Sequence, residues 1–385
     1  GGDFAHIVGY VGPVSDYDLE RTDDDDPLLL IPKFQIGKNG VEVKQDHELR
    51  GAAGVKRIEV NSVGRVIREL GREESTQGTN LQLTVDARLQ ALALRRLGSE
   101  SAGAVVMDVR NGDLMALASA PSFDPNKFVN GISVSDWRTL NENKFRPLAN
   151  KTVSGTYPPG STFKIAVALA ALEAGVIGPE EKVFCPGYMD LGNRRFHCWK
   201  RGGHGYVNLN DSLKRSCDVY YYDVSQRVGI DKIAEMARKL GLGERHDLPM
   251  SAVSEGLIPD QAWKQANRGE AWQKGDTLNA SIGQGFVLAS PLQLAVMSAR
   301  IATGLAIKPR LVRSIGGEEI PVEPPEPLGI SSSNLRAVRR AMFEVSNIRG
   351  GTAWRTRIDE EELRLAGKTG TSQVRNITKE ERARG

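Results

Sequence analysis

The chain has 385 residues, of which 40% are hydrophobic and 26% are charged, proportions typical of globular proteins with a sizeable buried core. This length allows two or three domains. The formal net charge is only +3, with Lys and Arg scattered along the sequence, which argues against nucleic-acid binding. No apolar run approaches the roughly 18 residues of a membrane span, and no signal peptide is visible.

Residues 1–78 are typical of a β-rich module without catalytic residues. The segments FAHIVGYVG and VKRIEVNSVGRVIREL alternate apolar and polar residues, as half-buried strands do. The polar stretch GREESTQGTN then predicts a linker. We therefore predict two domains, a non-catalytic one over residues 1–78 and a second one over residues 79–385.

The second domain begins with a short strand and a helix that starts near Asp86, a suitable N-cap. The segment AGAVVMDVRNGDLMALAS follows, and its Asn-Gly pair between two apolar runs predicts a hairpin. Helices are predicted from about residue 161, between residues 208 and 242, and from Pro291. The late segment LRLAGKTGTSQV predicts a strand. This order predicts an α+β domain in which early and late strands share one sheet.

The segment TYPPGSTFKIAVALAALEAG places Ser161 directly after a Pro-Pro-Gly turn and Lys164 within an apolar, helix-forming run. Residues three positions apart share one helix face, so the lysine amine can reach the serine hydroxyl. The apolar neighbours favour desolvation and hence a neutral amine, which makes a general base beside a nucleophile. A capping serine with a surface lysine is the alternative, since Ser-x-x-Lys alone is common.

Two further motifs favour the catalytic interpretation. Ser216 and Asp218 lie in a polar break between apolar segments. The last motif is the run Lys368, Thr369, Gly370 and Thr371. Taken singly, these motifs are explained by a helix N-cap and a strand-to-turn junction. Taken together and in this order, they match the set found in penicillin-binding proteins and class A β-lactamases.

The chain resembles the class B penicillin-binding protein transpeptidases, most closely those of rod elongation. The resemblance covers nearly the whole chain and is carried by FAHIVGYVG, LRGAAGVKRIEVNSVGRVIREL, LTVDARLQ, YPPGSTFK, GHGYVNLNDSLKRSCDVYYYDV, GQGFVLASPLQLA and LAGKTGTSQV. It implies an antiparallel sheet flanked by helices, as in serine β-lactamases, with an N-terminal pedestal module. Family members continue with further strands and a helix, whereas this sequence stops 14 residues after Thr371, so we expect those elements to be missing from it.

The same resemblance implies a D,D-transpeptidase that cross-links peptidoglycan stem peptides through a serine acyl-enzyme and is acylated by β-lactams. In that chemistry Ser161 would be the nucleophile and Lys164 its activating base. Ser216 would relay protons towards the leaving amine, with Lys368 as its partner. Asp218 stands where many relatives carry Asn, so it would accept the same hydrogen bonds but add a charge.

The resemblance also assigns the substrate contacts. Thr369 and Thr371 would bind the substrate carboxylate, and Gly370 would let the substrate backbone approach. The backbone N–H groups of Ser161 and Thr371 would form an oxyanion hole, which stabilises a tetrahedral intermediate by several kcal/mol.

All three cysteines of the chain lie between residues 185 and 217, together with two histidines. Three thiols and one imidazole have the ligand types of a structural zinc site, although the spacing matches no compact zinc finger. A Cys185–Cys198 disulfide and three buried reduced thiols are the alternatives, and an extracytoplasmic location favours the disulfide. Some elongation-type relatives bind zinc in this segment. The resemblance then implies Cys185, Cys198, His204 and Cys217 as zinc ligands, with His197 as a neighbour.

Partners and location follow from the resemblance as well. It implies a protein at the periplasmic face of the inner membrane, held by a transmembrane helix that precedes residue 1. The N-terminal module would contact a membrane glycosyltransferase and other elongation proteins. A serine β-lactamase is the rival enzyme, and a penicillin-sensing domain that is acylated once is the rival without turnover.

Overall fold

The computed structural model describes residues 1–21 and 26–372. Its helices are α1 (Ala5–Val8), α2 (Asp16–Arg21), α3 (Gly40–Lys44), α4 (Asp46–Arg50), α5 (Ala87–Leu97), α6 (Val134–Asn141), α7 (Lys164–Glu173), α8 (Leu209–Lys214), α9 (Asp218–Val228), α10 (Ile230–Lys239), α11 (Gln261–Arg268), α12 (Lys274–Ser281), α13 (Pro291–Thr303) and α14 (Ser332–Asn347). None of these helices has the length and apolar character needed to span a bilayer, as far as the described residues go.

The strands are short and pair in small antiparallel sheets. They are β1 (Val11–Pro13), β2 (Gln35–Gly37), β3 (Val55–Val60), β4 (Val66–Glu73), β5 (Leu81–Leu83), β6 (Ala102–Met107), β7 (Leu114–Ala120), β8 (Val183–Cys185), β9 (Tyr188–Leu191), β10 (Arg194–His197), β11 (Gly205–Val207), β12 (Val312–Ile315) and β13 (Glu318–Glu319).

The chain divides into two compact units. The first contains residues 1–154, 247–253 and 309–323. Its hairpin β6–β7 pairs from Ala102 with Ala120 to Met107 with Leu114, as the Asn-Gly turn predicts. Helix α5 packs against β7, and its buried Gln90 accepts a hydrogen bond from Leu117 N at 2.9 Å.

The second unit contains residues 155–246 and 254–308, with the described residues from Pro324 onward. Helix α7 lies at its centre, because every residue from Lys164 to Leu172 is buried and α9, α10 and α14 all pack against it. Full burial of one Leu or Ile side chain stabilises a fold by about 1.5–3 kcal/mol. The start of α7, which carries the Ser-x-x-Lys motif, is therefore held by the main core of this unit.

Several predicted elements are confirmed. Strands β3 and β4 and helix α5 form where the sequence predicts them, although β3 and β4 are almost entirely exposed and not half-buried. The Asp86 carboxylate caps α5 by accepting from Arg88 N and Leu89 N. Helices α8, α9 and α10 fill the predicted helical region. Ser290 caps α13 in a capping box with Gln293.

Two predicted strands are wrong. FAHIVGYVG forms helix α1 before strand β1, because Ala5, His6 and Ile7 are buried one after another instead of alternately, and Gly9 at φ +88° ends the helix. The segment LRLAGKTGTSQV forms no strand up to Ser372, and among the described residues β6 and β7 pair only with each other. The Thr371 carbonyl lies beside the turn at Gly160 and accepts a hydrogen bond from the Gln284 side chain. The predicted boundary between residues 1–78 and 79–385 stays a prediction.

Candidate active site

The turn before helix α7 carries Ser161. Backbone hydrogen bonds of 2.9 Å join Tyr157 to Ala289 in both directions, and a third runs from Gly160 N to Gly283 O, also 2.9 Å. Gly160 has φ +57°, a left-handed conformation that glycine adopts without strain. The chain then forms a short 3₁₀ helix over Gly160–Phe163 before α7 begins. Ser161 is thereby fixed, partly exposed, on a well-anchored turn.

Lys164 is the first residue of α7, and its side chain has no solvent exposure. Its Nζ lies 2.6 Å from Asp218 Oδ1, 2.9 Å from the carbonyl oxygen of Ser216 and 3.2 Å from Ser216 Oγ. A buried ammonium needs such partners, because transfer of an unpaired charge from water is very costly. Among the described residues no hydrogen bond joins Lys164 to Ser161, and the amine instead contacts Ser216 and Asp218.

Ser216 links two lysines. It lies between α8 and α9 with φ +56°, a left-handed conformation that is uncommon for a residue other than glycine. Its Oγ accepts hydrogen bonds from Lys164 Nζ at 3.2 Å and from Lys368 Nζ at 2.9 Å. Strained backbone of this kind persists where the surroundings fix it, and it is enriched at active sites.

Asp218 is the first residue of α9, where the helix dipole favours a negative charge. One oxygen receives the Lys164 amine and the other accepts a hydrogen bond from Trp199 N at 2.8 Å. Both oxygens of this buried carboxylate are therefore satisfied by donors.

Lys368 completes the cluster from the late part of the chain. Besides Ser216, its Nζ donates to the carbonyl oxygen of Thr369 at 2.9 Å. The pKa of Lys368 is lowered to about 7, mainly by burial and next by the positive charge of Lys164, while Asp218 partly opposes both effects. This lysine can therefore gain or lose a proton near neutral pH.

The residues after Lys368 lie against the turn that carries Ser161. A Cβ atom at Gly160 would lie 2.3 Å from the Thr371 carbonyl oxygen, and one at Gly370 would lie 3.0 Å from that of Pro159. Gln284 Nε2 donates to Thr371 O at 3.3 Å, and the Thr369 and Thr352 hydroxyls are 2.7 Å apart. The three sequence motifs thus meet in one place.

Behind Ser216 lies a second cluster. Cys185, Cys198, His204 and Cys217 are all buried, and their candidate ligand atoms lie within 4.8 Å of one another. His204 Nδ1 is 3.5 Å from Cys198 Sγ and 3.7 Å from Cys185 Sγ. The three cysteines are free, so the Cys185–Cys198 disulfide is not formed. The hydrogen bond between Cys217 and Cys198 lowers the pKa of Cys198 and raises that of Cys217.

This geometry fits a tetrahedral metal ion. At Zn–S and Zn–N distances of about 2.3 and 2.0 Å, ligand atoms at tetrahedral corners lie roughly 3.5–3.8 Å apart. Both measured S···N distances fall in that range. The donor set is closed, with three sulfurs and one nitrogen. Cys185 ends β8, Cys198 directly follows β10, His204 directly precedes β11 and Cys217 directly precedes α9.

Two hydrogen bonds connect the cysteine cluster to the catalytic motif. Asp218 N donates to Cys198 Sγ at 3.4 Å. Trp199, the residue after Cys198, donates its backbone N–H to the Asp218 carboxylate. Sequence reasoning missed Trp199, together with the contacts from Gly283, Gln284 and Thr352. A tryptophan directly after a candidate ligand is the only signal for the first of these. Gly283 and Gln284 begin the segment GQGFVLASPLQLA, which carries the family resemblance, and Thr352 has no signal in a single sequence.

The fold and these motifs define a penicillin-binding transpeptidase. The family model described as the penicillin binding protein transpeptidase domain matches residues 102–384, and the penicillin-binding protein dimerisation domain matches residues 1–83. The chain therefore belongs to the penicillin-binding protein transpeptidase family.

Its similar relatives include peptidoglycan D,D-transpeptidases named MrdA. The protein of Escherichia coli K12 is 37% identical over 97% of this chain, and that of Acinetobacter baumannii is 36% identical over 98%. The chain spans 60% and 56% of their lengths, respectively.

Similar solved structures are also of penicillin-binding proteins. The PBP2 of Pseudomonas aeruginosa in complex with WCK 5153 has a TM-score of 0.83 and 36% identity, covering 97% of this chain and 79% of that one. The complex of PBP2 and MreC from Helicobacter pylori contains a similar chain, with a TM-score of 0.88 and 32% identity, covering 97% of this chain and 68% of that one.

Proposed function

We propose that this chain carries out serine-type D,D-transpeptidation of peptidoglycan stem peptides and is acylated by β-lactams, acting in cell elongation and shape. One observation carries the proposal: Ser216 Oγ is hydrogen-bonded to both Lys164 and Lys368, beside the turn that holds Ser161. The names of the MrdA relatives support the same activity.

The reaction takes place in two acyl transfers. Lys164 first passes a proton through the Ser216 hydroxyl to neutral Lys368, which leaves Lys164 as a neutral amine. Ser161 Oγ then attacks the carbonyl carbon between the two terminal D-alanines, and its proton passes to Lys164. The C–N bond then breaks as the leaving amine receives a proton through Ser216 and Lys368, which leaves an ester on Ser161. The amine of a neighbouring stem attacks this ester, gives up a proton and restores the serine hydroxyl, which completes the cross-link.

The positions of Lys164 and Lys368 fit these proton transfers. Because the pKa of Lys368 lies near 7, its neutral and protonated forms are both populated near neutral pH, so it can accept or supply a proton that the Ser216 hydroxyl relays. Lys164 reaches the same hydroxyl from the opposite direction. For Lys164 to act on Ser161, its amine must turn from Ser216 towards the nucleophile once substrate is bound.

Substrate contacts come from the segment after Lys368. Thr369 and Thr371 hold the terminal carboxylate, while Gly370 leaves room for the substrate backbone. The amides of Ser161 and Thr371 lie on adjoining turns and serve as the oxyanion hole. Loss of one such donor typically costs about 10²–10³ in rate.

Labelled penicillin tests the proposal. After incubation, the intact mass should increase by one adduct per chain, and peptide mapping should place the adduct on Ser161. Ser161→Ala should abolish labelling, whereas Ser298→Ala, on the exposed face of α13, should not change it. Full labelling of the Ser161 variant contradicts the proposal. Rapid hydrolysis of the penicillin favours a β-lactamase, and stable acylation without any turnover of stem peptides favours a sensor.

We also propose that Cys185, Cys198, His204 and Cys217 hold a structural zinc ion. The support is the donor set of three sulfurs and one nitrogen, its burial, and two S···N distances that suit a tetrahedral ion. When bound, the ion would tie Cys217 to the other three ligands. Because Cys217 lies between Ser216 and Asp218, these residues would then be held in place from behind.

For the N-terminal module we propose contact with a membrane glycosyltransferase and other elongation proteins on the periplasmic side of the inner membrane. The dimerisation-domain match and the PBP2–MreC complex support a role in assembly. Hairpin β3–β4 offers apolar side chains to solvent, including Val63 at 73% exposure. Mixing this chain with the MreC of the same organism should give a complex in sedimentation, and Val63→Glu should weaken it. Two separate boundaries for the wild-type proteins contradict this assignment.

A further inference from the structure

A turn next to the active site exposes a rigid tryptophan. The Trp199 side chain keeps 61% of its surface in solvent. Its indole Nε1 nevertheless donates to the carbonyl oxygens of Arg215 at 3.1 Å and Ser216 at 3.0 Å. The ring is therefore fixed in orientation with much of its surface free, which is the state of a side chain ready to receive a ligand.

The backbone around this ring is also fixed. We call residues 199–203 the tryptophan turn. Gly203 N donates to Lys200 O at 2.9 Å and closes the turn. A Cβ at Gly203 would lie 2.2 Å from the Cys185 carbonyl oxygen, so the turn packs directly on the segment that carries a candidate metal ligand. Binding to such a turn requires little further ordering.

The tryptophan turn carries unbalanced positive charge. Lys200 and Arg201 are exposed, and neither forms an ion pair within residues 1–21 and 26–372. The carboxylate that contacts the turn is Asp218, whose charge is already matched by Lys164. An anion approaching this surface therefore meets two cations and no competing carboxylate on the turn.

We propose that the tryptophan turn is a subsite for the acidic peptide part of the substrate, which deepens the proposed function and rests on it. The indole face packs on an aliphatic stretch of the stem peptide, and Lys200 and Arg201 attract its side-chain carboxylates. The placement follows from Ser216, whose carbonyl accepts the Trp199 indole while its hydroxyl accepts Lys368. A peptide whose terminal carboxylate is held by Thr369 and Thr371, beside Lys368, thus lies within reach of the turn.

Competition against penicillin tests this subsite. Two stem pentapeptides are compared, one with free side-chain carboxylates and one with those carboxylates amidated, both with a free C-terminus. The readout is the peptide concentration that halves the rate of Ser161 acylation by labelled penicillin. For the wild type, this concentration should be about five- to tenfold lower for the acidic peptide, and the difference should shrink in high salt.

Charge reversal identifies the residues responsible. Lys200→Glu/Arg201→Glu should abolish or invert the preference for the acidic peptide. Lys232→Glu/Lys239→Glu, on the exposed face of α10, changes the net charge equally and should keep the preference. Equal competition by both peptides in the wild type, no competition by either, or an unchanged preference in the Lys200/Arg201 variant overturns the subsite. Absence of acylation in the wild type instead contradicts the proposed function.

Discussion

Lys164 and Asp218 form a buried ion pair, with Nζ and Oδ1 2.6 Å apart and no solvent exposure of the lysine side chain. Removing one member of such a pair leaves the other charge without compensation, which typically costs 3–5 kcal/mol. We predict that Asp218→Asn lowers the free energy of unfolding by about 3 kcal/mol, as measured by urea denaturation. Asp223→Asn on the same helix breaks an exposed pair with Arg227 and should cost less than about 0.5 kcal/mol. Equal losses in the two variants contradict the prediction.

A second prediction concerns proton transfer by Lys164. Lys164→Arg keeps a positive charge, but guanidinium does not give up its proton in proteins. Acylation by penicillin should therefore slow by about 10²–10⁴, the usual effect of losing a general base. Stopped-flow labelling gives the rate, and circular dichroism shows whether the fold is retained. A folded arginine variant that is acylated at the wild-type rate assigns Lys164 a structural role only.

Stability should depend on pH through Lys368, whose pKa is lowered to about 7 from its ordinary 10.5. Between these values the unfolded chain binds a proton on this lysine that the folded chain does not, so stability rises with pH across that window. Lys368→Met removes the titration. The free energy of unfolding of the wild type should therefore rise, relative to that of the variant, by at most about 1.4 kcal/mol per pH unit between pH 7 and 10. Urea denaturation of both proteins at several pH values measures this gain, and a difference that does not change with pH rules it out.

The contact between the Gly160 turn and Thr371 can be tested with two matched glycines. Gly160 and Gly175 both have left-handed φ values, +57° and +64°, so alanine adds similar backbone strain of about 1–2 kcal/mol at either position. A Cβ at Gly160 meets Thr371 O at 2.3 Å, whereas no atom of the described residues meets one at Gly175 within 4 Å. Gly160→Ala should slow acylation about 100-fold by displacing Thr371, and Gly175→Ala should not. Similar acylation rates in both variants exclude this role for Gly160.

Metal content provides a further prediction. Protein purified without chelator should contain about one zinc per chain, and Cys198→Ser should lose it, with a lower melting temperature and slower acylation. His197→Gln changes the exposed neighbouring histidine and should retain the metal. Elemental analysis with a thermal melt measures both. Metal-free wild-type protein with a Cys185–Cys198 disulfide detected by mass ends the zinc assignment and leaves the transpeptidase proposal intact.

Local signals made much of the fold predictable. The Asp86 cap, the Asn-Gly hairpin and the Ser290 capping box are specified by residues within four positions of each other, so a single sequence contains all the information. The late strand was wrongly predicted, because pairing depends on a partner elsewhere in the chain that alternation alone does not reveal.

The sequence predicts which residues form the candidate site better than it predicts the contacts between them. The three motifs named Ser161, Lys164, Ser216, Asp218 and Lys368, and the resemblance named the four candidate zinc ligands. Helical spacing suggested that Lys164 points at Ser161, yet its amine lies on Ser216 and Asp218. A buried amine takes the best charged acceptor within reach, and residues 54 positions away cannot be placed from helix geometry.

Ser216 contacts Lys164, 52 residues before it, and Lys368, 152 residues after it. A chain leaving the ribosome at about 5–20 residues per second therefore has its nucleophile long before it has the second lysine. Until Lys368 emerges, a growing or truncated chain lacks the lysine that pairs with Ser216 in the proposed proton relay. If penicillin acylates Ser161 as proposed, labelling should detect chains that include Lys368 and not those interrupted before it. A pulse of labelled penicillin given during synthesis would then measure the time that this protein takes to mature.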